Sequence, residues 1–145
     1  MNEVVILVGP PGAGKTYYCR AHLAGHERLS QDEGPRRFES LRRRYEQRLD
    51  EGVARLVIDR TNPMRWQREQ FADAARRRGY RVRLIRFKVP REVCERRIEQ
   101  RTDHPTLSAD RMHQALDRYE SAFDPPAEDE GDALKVVRYG KGEDW

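Results

Sequence analysis

The chain has 145 residues, 37% of them hydrophobic and 37% charged, with a formal net charge of +4. That length suits one domain with a single core, and regular apolar stripes within the charge exclude a disordered chain. No apolar run approaches ~18 residues, which excludes a membrane-spanning helix, and two cysteines are too few for a disulfide framework or a zinc site.

Val4-Val5-Ile6-Leu7-Val8 is a short apolar run, β-branched and ended by Gly-Pro-Pro-Gly. It predicts a strand buried on both faces of a parallel sheet. Because the chain reaches a strand and a functional loop at once, no signal peptide is expected. A helix is expected from Gly14 to about Ala24, and a short strand over Glu27–Ser30. Phe38, Leu41, Tyr45 and Leu49 mark one face of a helix over Pro35–Glu51. Val53–Asp59 reads as a second clear strand. Asn62 is expected to cap a helix that opens at Pro63 and ends at Gly79.

Tyr80–Val89 alternates Val82, Leu84 and Phe87 with arginines, a strand with one less protected face. Pro90 opens a helix to about Arg101, followed by a loop over Thr102–Leu107. Ser108 then caps a helix with Met112, Leu116, Tyr119 and Phe123 on one face. Asp124–Asp132 is an acidic loop, Leu134–Tyr139 a last strand and Gly140–Trp145 a tail. Cys19 and Cys94 fall on predicted helices, which points to core packing in a reducing cytoplasm. Strands alternating with helices predict an α/β fold: a three-layer sandwich around a mostly parallel, about five-stranded sheet, one domain over residues 1–145.

The charge is uneven. Residues 36–101 carry 21 Lys/Arg against 10 Asp/Glu, and residues 124–132 carry five acids and no base. A basic body with an acidic loop can steer a polyanionic substrate toward one face. The alternative is that the arginines are solvated helix faces.

Gly9, Gly14, Lys15 and Thr16 complete the pattern G-x-x-x-x-G-K-[ST], a P-loop placed between a strand and a helix. Small residues let backbone N–H groups close around phosphate oxygens, and the helix N-terminus adds its dipole. Gly12, Ala13, Gly14, Lys15 and Thr16 are thus candidate ATP contacts. Lys15 is suited to the β- and γ-phosphates, and the Thr16 hydroxyl to Mg²⁺. Asp59, ending a strand, is the candidate second oxygen ligand of Mg²⁺, or else caps a turn. Asp32 follows a predicted strand at the ligand-binding edge and is the candidate general base for an acceptor hydroxyl. Asp32 or Glu33 can equally cap the helix near Pro35. Arg97 and Arg101, four apart on one helix face, can clamp phosphate oxygens or pair with glutamates.

Four segments together resemble the kinase module of the polynucleotide 5′-kinase family over about Val4–Phe123: the P-loop, Leu29-Ser30-Gln31-Asp32, Ile58-Asp59-Arg60-Thr61-Asn62-Pro63, and Arg96-Arg97-Ile98-Glu99-Gln100-Arg101 with the helix ending in Tyr119. The resemblance implies a P-loop kinase fold with a helical lid and transfer of the ATP γ-phosphate to a hydroxyl on nucleic acid, DNA before RNA. It implies catalytic roles for Lys15, Asp32 and Arg101, ATP contacts from Arg97 and Arg101, and substrate contacts from Asp32, Arg36, Thr61 and Asn62. The family places an arginine three residues beyond the base; here Pro35 stands there and Arg36 follows. Compact phage relatives that phosphorylate 5-hydroxymethyluracil in DNA resemble the chain in size and motif order. A small-metabolite kinase and a nucleotide switch without catalysis are the remaining alternatives. The expected location is the cytoplasm, a host's if the chain is phage-encoded.

Overall fold

The computed structural model describes residues 1–31, 37–100 and 109–140. Strand β1 (Glu3–Val8) sends Val4, Ile6 and Val8 into one apolar layer and Val5 and Leu7 into the other, all five without solvent exposure. A strand apolar on both faces requires cover on both. The remaining elements supply it: α1 (Lys15–His22), β2 (Glu27–Ser30), α2 (Arg37–Asp50), β3 (Arg55–Asp59), α3 (Arg65–Arg77), β4 (Arg81–Lys88), α4 (Arg91–Glu99), α5 (Ala109–Ala122) and β5 (Ala133–Arg138).

The strands form one open sheet in the order β2-β3-β1-β4-β5, and every neighbouring pair is parallel. The sheet is therefore parallel throughout, and the three-layer α/β architecture is as expected. Helices α2 and α3 cover one face through Leu41, Tyr45, Leu49, Phe71 and Ala75. Helices α1, α4 and α5 cover the other through Tyr18, Cys19, Cys94, Ile98, Met112 and Leu116. Full burial of a large apolar side chain contributes roughly 1.5–3 kcal/mol, so each helix is held by its stripe rather than by its charged remainder. Both cysteines are buried and free. Burial, with the Asp59 charge, pushes the Cys19 thiol up to about 12, and burial also raises Cys94. They are packing groups.

Two expectations are corrected. Helix α3 begins at Arg65 rather than Pro63, and its N-cap is Met64, not Asn62. Asn62 cannot cap because its backbone is left-handed (φ 46°) and its amide is turned into the core, where it donates to the Leu7 carbonyl at 2.8 Å. The acidic segment is not simply a loop either. A 3-10 turn at Glu128–Glu130 buries Glu130 against Arg68, Nε to Oε1 at 2.8 Å and Nη2 to Oε2 at 3.1 Å. Arg68 also donates to the carbonyls of Asn62 and Pro63, each at 3.0 Å. One of the five acids is thus an internal counterion rather than part of a steering surface. The Ser108 cap and the Thr102–Leu107 loop lie outside the described residues, as does the tail beyond Gly140.

Candidate active site at the C-terminal edge of the sheet

Ligands of open α/β sheets bind outside the carboxyl ends of the strands, and β1 and β3 end side by side here. From β1 the chain turns through the loop at 9–14 into α1. Gly12 and Gly14 adopt φ of 79° and 93°, a region that disfavours other residues. Close packing adds a second reason for glycine. A Cβ on Gly9 would lie 2.9 Å from Phe87 Cβ, and one on Gly12 would lie 2.8 Å from the Cys94 carbonyl oxygen. Two of the loop glycines therefore serve approach to β4 and α4, besides any service to a ligand. Helix α1 has no side-chain cap and no acid in its first turn. Its N-terminus therefore presents backbone donors that suit an anion.

Lys15 is buried and folds back over the loop, donating to the carbonyls of Gly9 at 3.0 Å and Pro10 at 2.7 Å. Thr16 donates through Oγ1 to Asp59 Oδ2 at 2.8 Å, so the two residues named for Mg²⁺ do meet. The same Oδ2 accepts from Arg28 Nε at 2.6 Å, a partner on β2 that no motif indicated. Behind the loop, Gly9 N donates to the Thr61 carbonyl at 3.0 Å. Together with the Asn62–Leu7 bond, this splints the end of β3 to the end of β1. Asn62 is fully buried, so its side chain supports the site from behind, whereas Thr61 lines the open side.

A hydroxyl and a carboxylate in contact fit a hard divalent cation. Among the described residues no group of three or more His, Cys, Asp or Glu could hold a metal. Two protein oxygens, with waters and phosphates completing the shell, suit Mg²⁺ better than a metal that needs a full protein cage.

Beside Pro11 of the loop opens a cavity of about 680 Å³, walled by Gln31, Arg37, Arg60, Thr61, Gln67 and Arg118, among others. Arg60 sits deepest in charge terms. It donates from Nε to Gln31 Oε1, and from Nη1 to Asn62 Oδ1 at 3.2 Å and Gln67 Oε1 at 3.1 Å, and it lies over the Phe38 ring at 4.9 Å. All of these partners are neutral. Burial first, and the Arg37 charge second, lower the Arg60 guanidinium to about 10, which leaves it charged at neutral pH. Among the described residues no carboxylate forms an ion pair with Arg37, Arg60 or Arg118. Asp117 on the same wall is taken by Arg91 at 2.7 Å.

Arg97 projects from α4, its guanidinium 5.5 Å from the centre of the Tyr139 ring just past β5. Asp32, Arg36 and Arg101 lie outside the described residues. Lys15, Thr16, Asp59 and Gly12–Gly14 thus come together at one edge, with Thr61 on the adjoining wall and Asn62 behind it. Arg28, Arg37, Arg60 and Arg118 join the site unannounced by any motif. Only Arg60 stood inside a segment already singled out.

A family model described as an AAA domain matches residues 4–126. The chain belongs to the AAA domain family. Solved structures similar to this AAA domain share its fold. A candidate kinase from Chloroflexus aurantiacus is 18% identical, with TM-score 0.72, covering 99% of this chain and 89% of that one. Kti12 of Chaetomium thermophilum, in complex with ADP-AlF3, is 14% identical with TM-score 0.65, covering 97% and 91%. The APS kinase CysC of Mycobacterium tuberculosis, in complex with AMPPNP and APS, is 14% identical with TM-score 0.62, covering 97% and 91%. This AAA domain has the fold of P-loop kinases.

Proposed function

We propose that this AAA domain is an ATP-dependent kinase that moves the γ-phosphate to a hydroxyl on nucleic acid, foremost a polynucleotide 5′-hydroxyl. The observation that carries the reading is the arginine-walled cavity beside the P-loop. Three guanidiniums without carboxylate partners among the described residues face one space, an arrangement that suits an acceptor bearing phosphates.

The following roles are assigned to the side chains in this reading. The loop N–H groups and Lys15 bind the triphosphate of ATP. Thr16 and Asp59 would hold Mg²⁺, which when bound neutralises phosphate charge. Asp32, two residues after the end of β2 in the sequence, is assigned to orient the acceptor hydroxyl and take its proton. Arg97 on α4, and Arg101 a few residues further along the chain, are assigned to hold phosphate oxygens. Thr61 and Arg36, the residue before Arg37 in the sequence, are assigned to contact the acceptor.

A phosphorylated small metabolite is the second reading. Its support is the cavity, of a size that holds a small molecule, and the similar kinase bound to APS. The test is incubation with γ-labelled ATP and three acceptors: a 5′-hydroxyl single strand, a 5′-phosphorylated duplex containing 5-hydroxymethyluracil, and adenosine phosphosulfate. Label at the 5′-end supports the main proposal. Label on the base moves the acceptor within nucleic acid. Label on the metabolite alone overturns the nucleic-acid reading.

A further inference from the structure

A chain of aromatic contacts runs from the core to the surface beside the arginine-walled cavity. Tyr45 meets Phe71 edge-on at 5.2 Å, Phe71 meets Phe38 at 5.6 Å, and Phe38 meets Trp66 at 5.5 Å. Tyr45 and Phe71 are fully buried, whereas Trp66 is 52% exposed. The indole is therefore anchored on one side and open to solvent on the other. Trp66 does not itself line the cavity but reaches it through Phe38, whose ring also carries the cavity residue Arg60. Arg60 covers the Phe38 ring, Arg37 precedes Phe38 in the chain, and the cavity residues Met64 and Gln67 lie within two positions of Trp66 in the sequence.

An exposed tryptophan by itself is ordinary. What sets Trp66 apart is the joint presence of a fixed indole and guanidiniums that lack carboxylate partners. A flat π-face next to phosphate-binding charge is what a nucleotide offers in complement. Neither a small metabolite held within the cavity nor an apolar peptide calls for both features.

We infer that Trp66 is the stacking platform for an unpaired nucleobase of the acceptor strand, beside the nucleotide whose phosphates lie on Arg37, Arg60 and Arg118. This rests on the nucleic-acid reading of the cavity. Bases inside a duplex are already stacked and paired, so the platform favours single strands.

The chain has two tryptophans, and Trp145→Phe leaves Trp66 as the one reporter. Its fluorescence is followed while a 5′-hydroxyl single strand is added without ATP, then a blunt hairpin duplex of the same sequence, then the strand with abasic terminal nucleotides. The expected result is quenching by the intact strand and weaker binding of the other two. Trp66→Ala weakens single-strand binding roughly 5- to 100-fold, as one lost base stack does. Trp66→Tyr retains most of the affinity, and ADP binding and circular dichroism stay unchanged in both variants. Equal affinity of the alanine variant, equal binding of the abasic strand, or preference for duplex overturns the platform. If the strand is still phosphorylated in that case, the kinase reading stands alone. If no nucleic acid is bound or phosphorylated, that reading falls and the platform falls with it.

Discussion

Two charged clusters lie on either side of Pro11 and are built on opposite terms. On the P-loop side the polar side chains have internal partners: Lys15 on the Gly9 and Pro10 carbonyls, Thr16 and Arg28 on Asp59. Across the loop, Arg60 has neutral partners and Arg37 and Arg118 have no carboxylate among the described residues. The first cluster is shaped before any ligand arrives, with Arg28 paired to Asp59 and Lys15 held on carbonyls. The second holds positive charge close together, at a cost in repulsion and desolvation. The contrast with arginines elsewhere is informative. Arg65 pairs with Glu69, Arg78 with Asp50 and Arg91 with Asp117. Surface pairs of that kind contribute little to stability but cancel charge, and among the described residues none of the three cavity arginines has one.

The largest expected effect tests the donor side. Arg101→Ala should lower kcat by roughly 10³–10⁵-fold with the fold intact; wild-type-like turnover removes Arg101 from the mechanism. Asp32→Asn should lower kcat by about 10²–10⁴-fold and leave ATP affinity nearly unchanged. A loss confined to ATP affinity would move Asp32 to the donor side of the comparison.

The connection from β3 to α3 is braced by Arg68, which donates to the Asn62 and Pro63 carbonyls. Arg68→Met leaves Glu130 buried without its partner and should destabilise the protein by about 3–5 kcal/mol in urea titration. Arg68→Met with Glu130→Gln should recover part of that loss. If the double variant is no better than the single one, the brace does not act through the ion pair.

On the acceptor side, Arg60→Gln should raise the acceptor KM by roughly 10–100-fold, the range of one charge-assisted hydrogen bond. It should also flatten the dependence of log KM on log salt by about 0.7–0.9, one phosphate contact. The KM for ATP should not move. Equal effects on both substrates would erase the distinction between the clusters.

The smallest effect is a control at the opposite end of the sheet. Burial works to raise the Glu3 carboxyl, but hydrogen bonds from Arg83 and His26 outweigh it and hold the pKa below 4.5. Glu3 therefore adds stability above pH 4.5, and that increment is lost as pH falls below 4.5 toward the folded pKa. Glu3→Gln should flatten this acid slope without altering either KM, as measured by thermal unfolding across pH.

Period and punctuation carried the fold. The β-branched run at Val4–Val8 and the stripe Leu41, Tyr45, Leu49 both report burial directly, because a strand or helix face must be apolar to be covered. Helix starts were less legible. Asn62 before Pro63 has the form of a cap, yet its amide donates to the Leu7 carbonyl in the core instead. The donor side was legible because a phosphate cradle needs a fixed run of residues in one loop. Lys15, Thr16 and the Gly12–Gly14 turn are contiguous, and Asp59 is the end of the neighbouring strand. The acceptor cavity takes Arg37 from α2, Arg60 from the end of β3 and Arg118 from α5, so no window of sequence contains it.

What the amino-acid order determined alone was local: the strand–loop–helix of the P-loop, the alternation of elements and the excess of arginine. Which arginines are cancelled and which remain was decided only by the tertiary structure. Charge pairing depends on distance in space, and the helices that carry the partners meet only when the sheet is covered. The same reason turned one glutamate of the acidic segment inward onto Arg68 and left Trp66 exposed against Phe38.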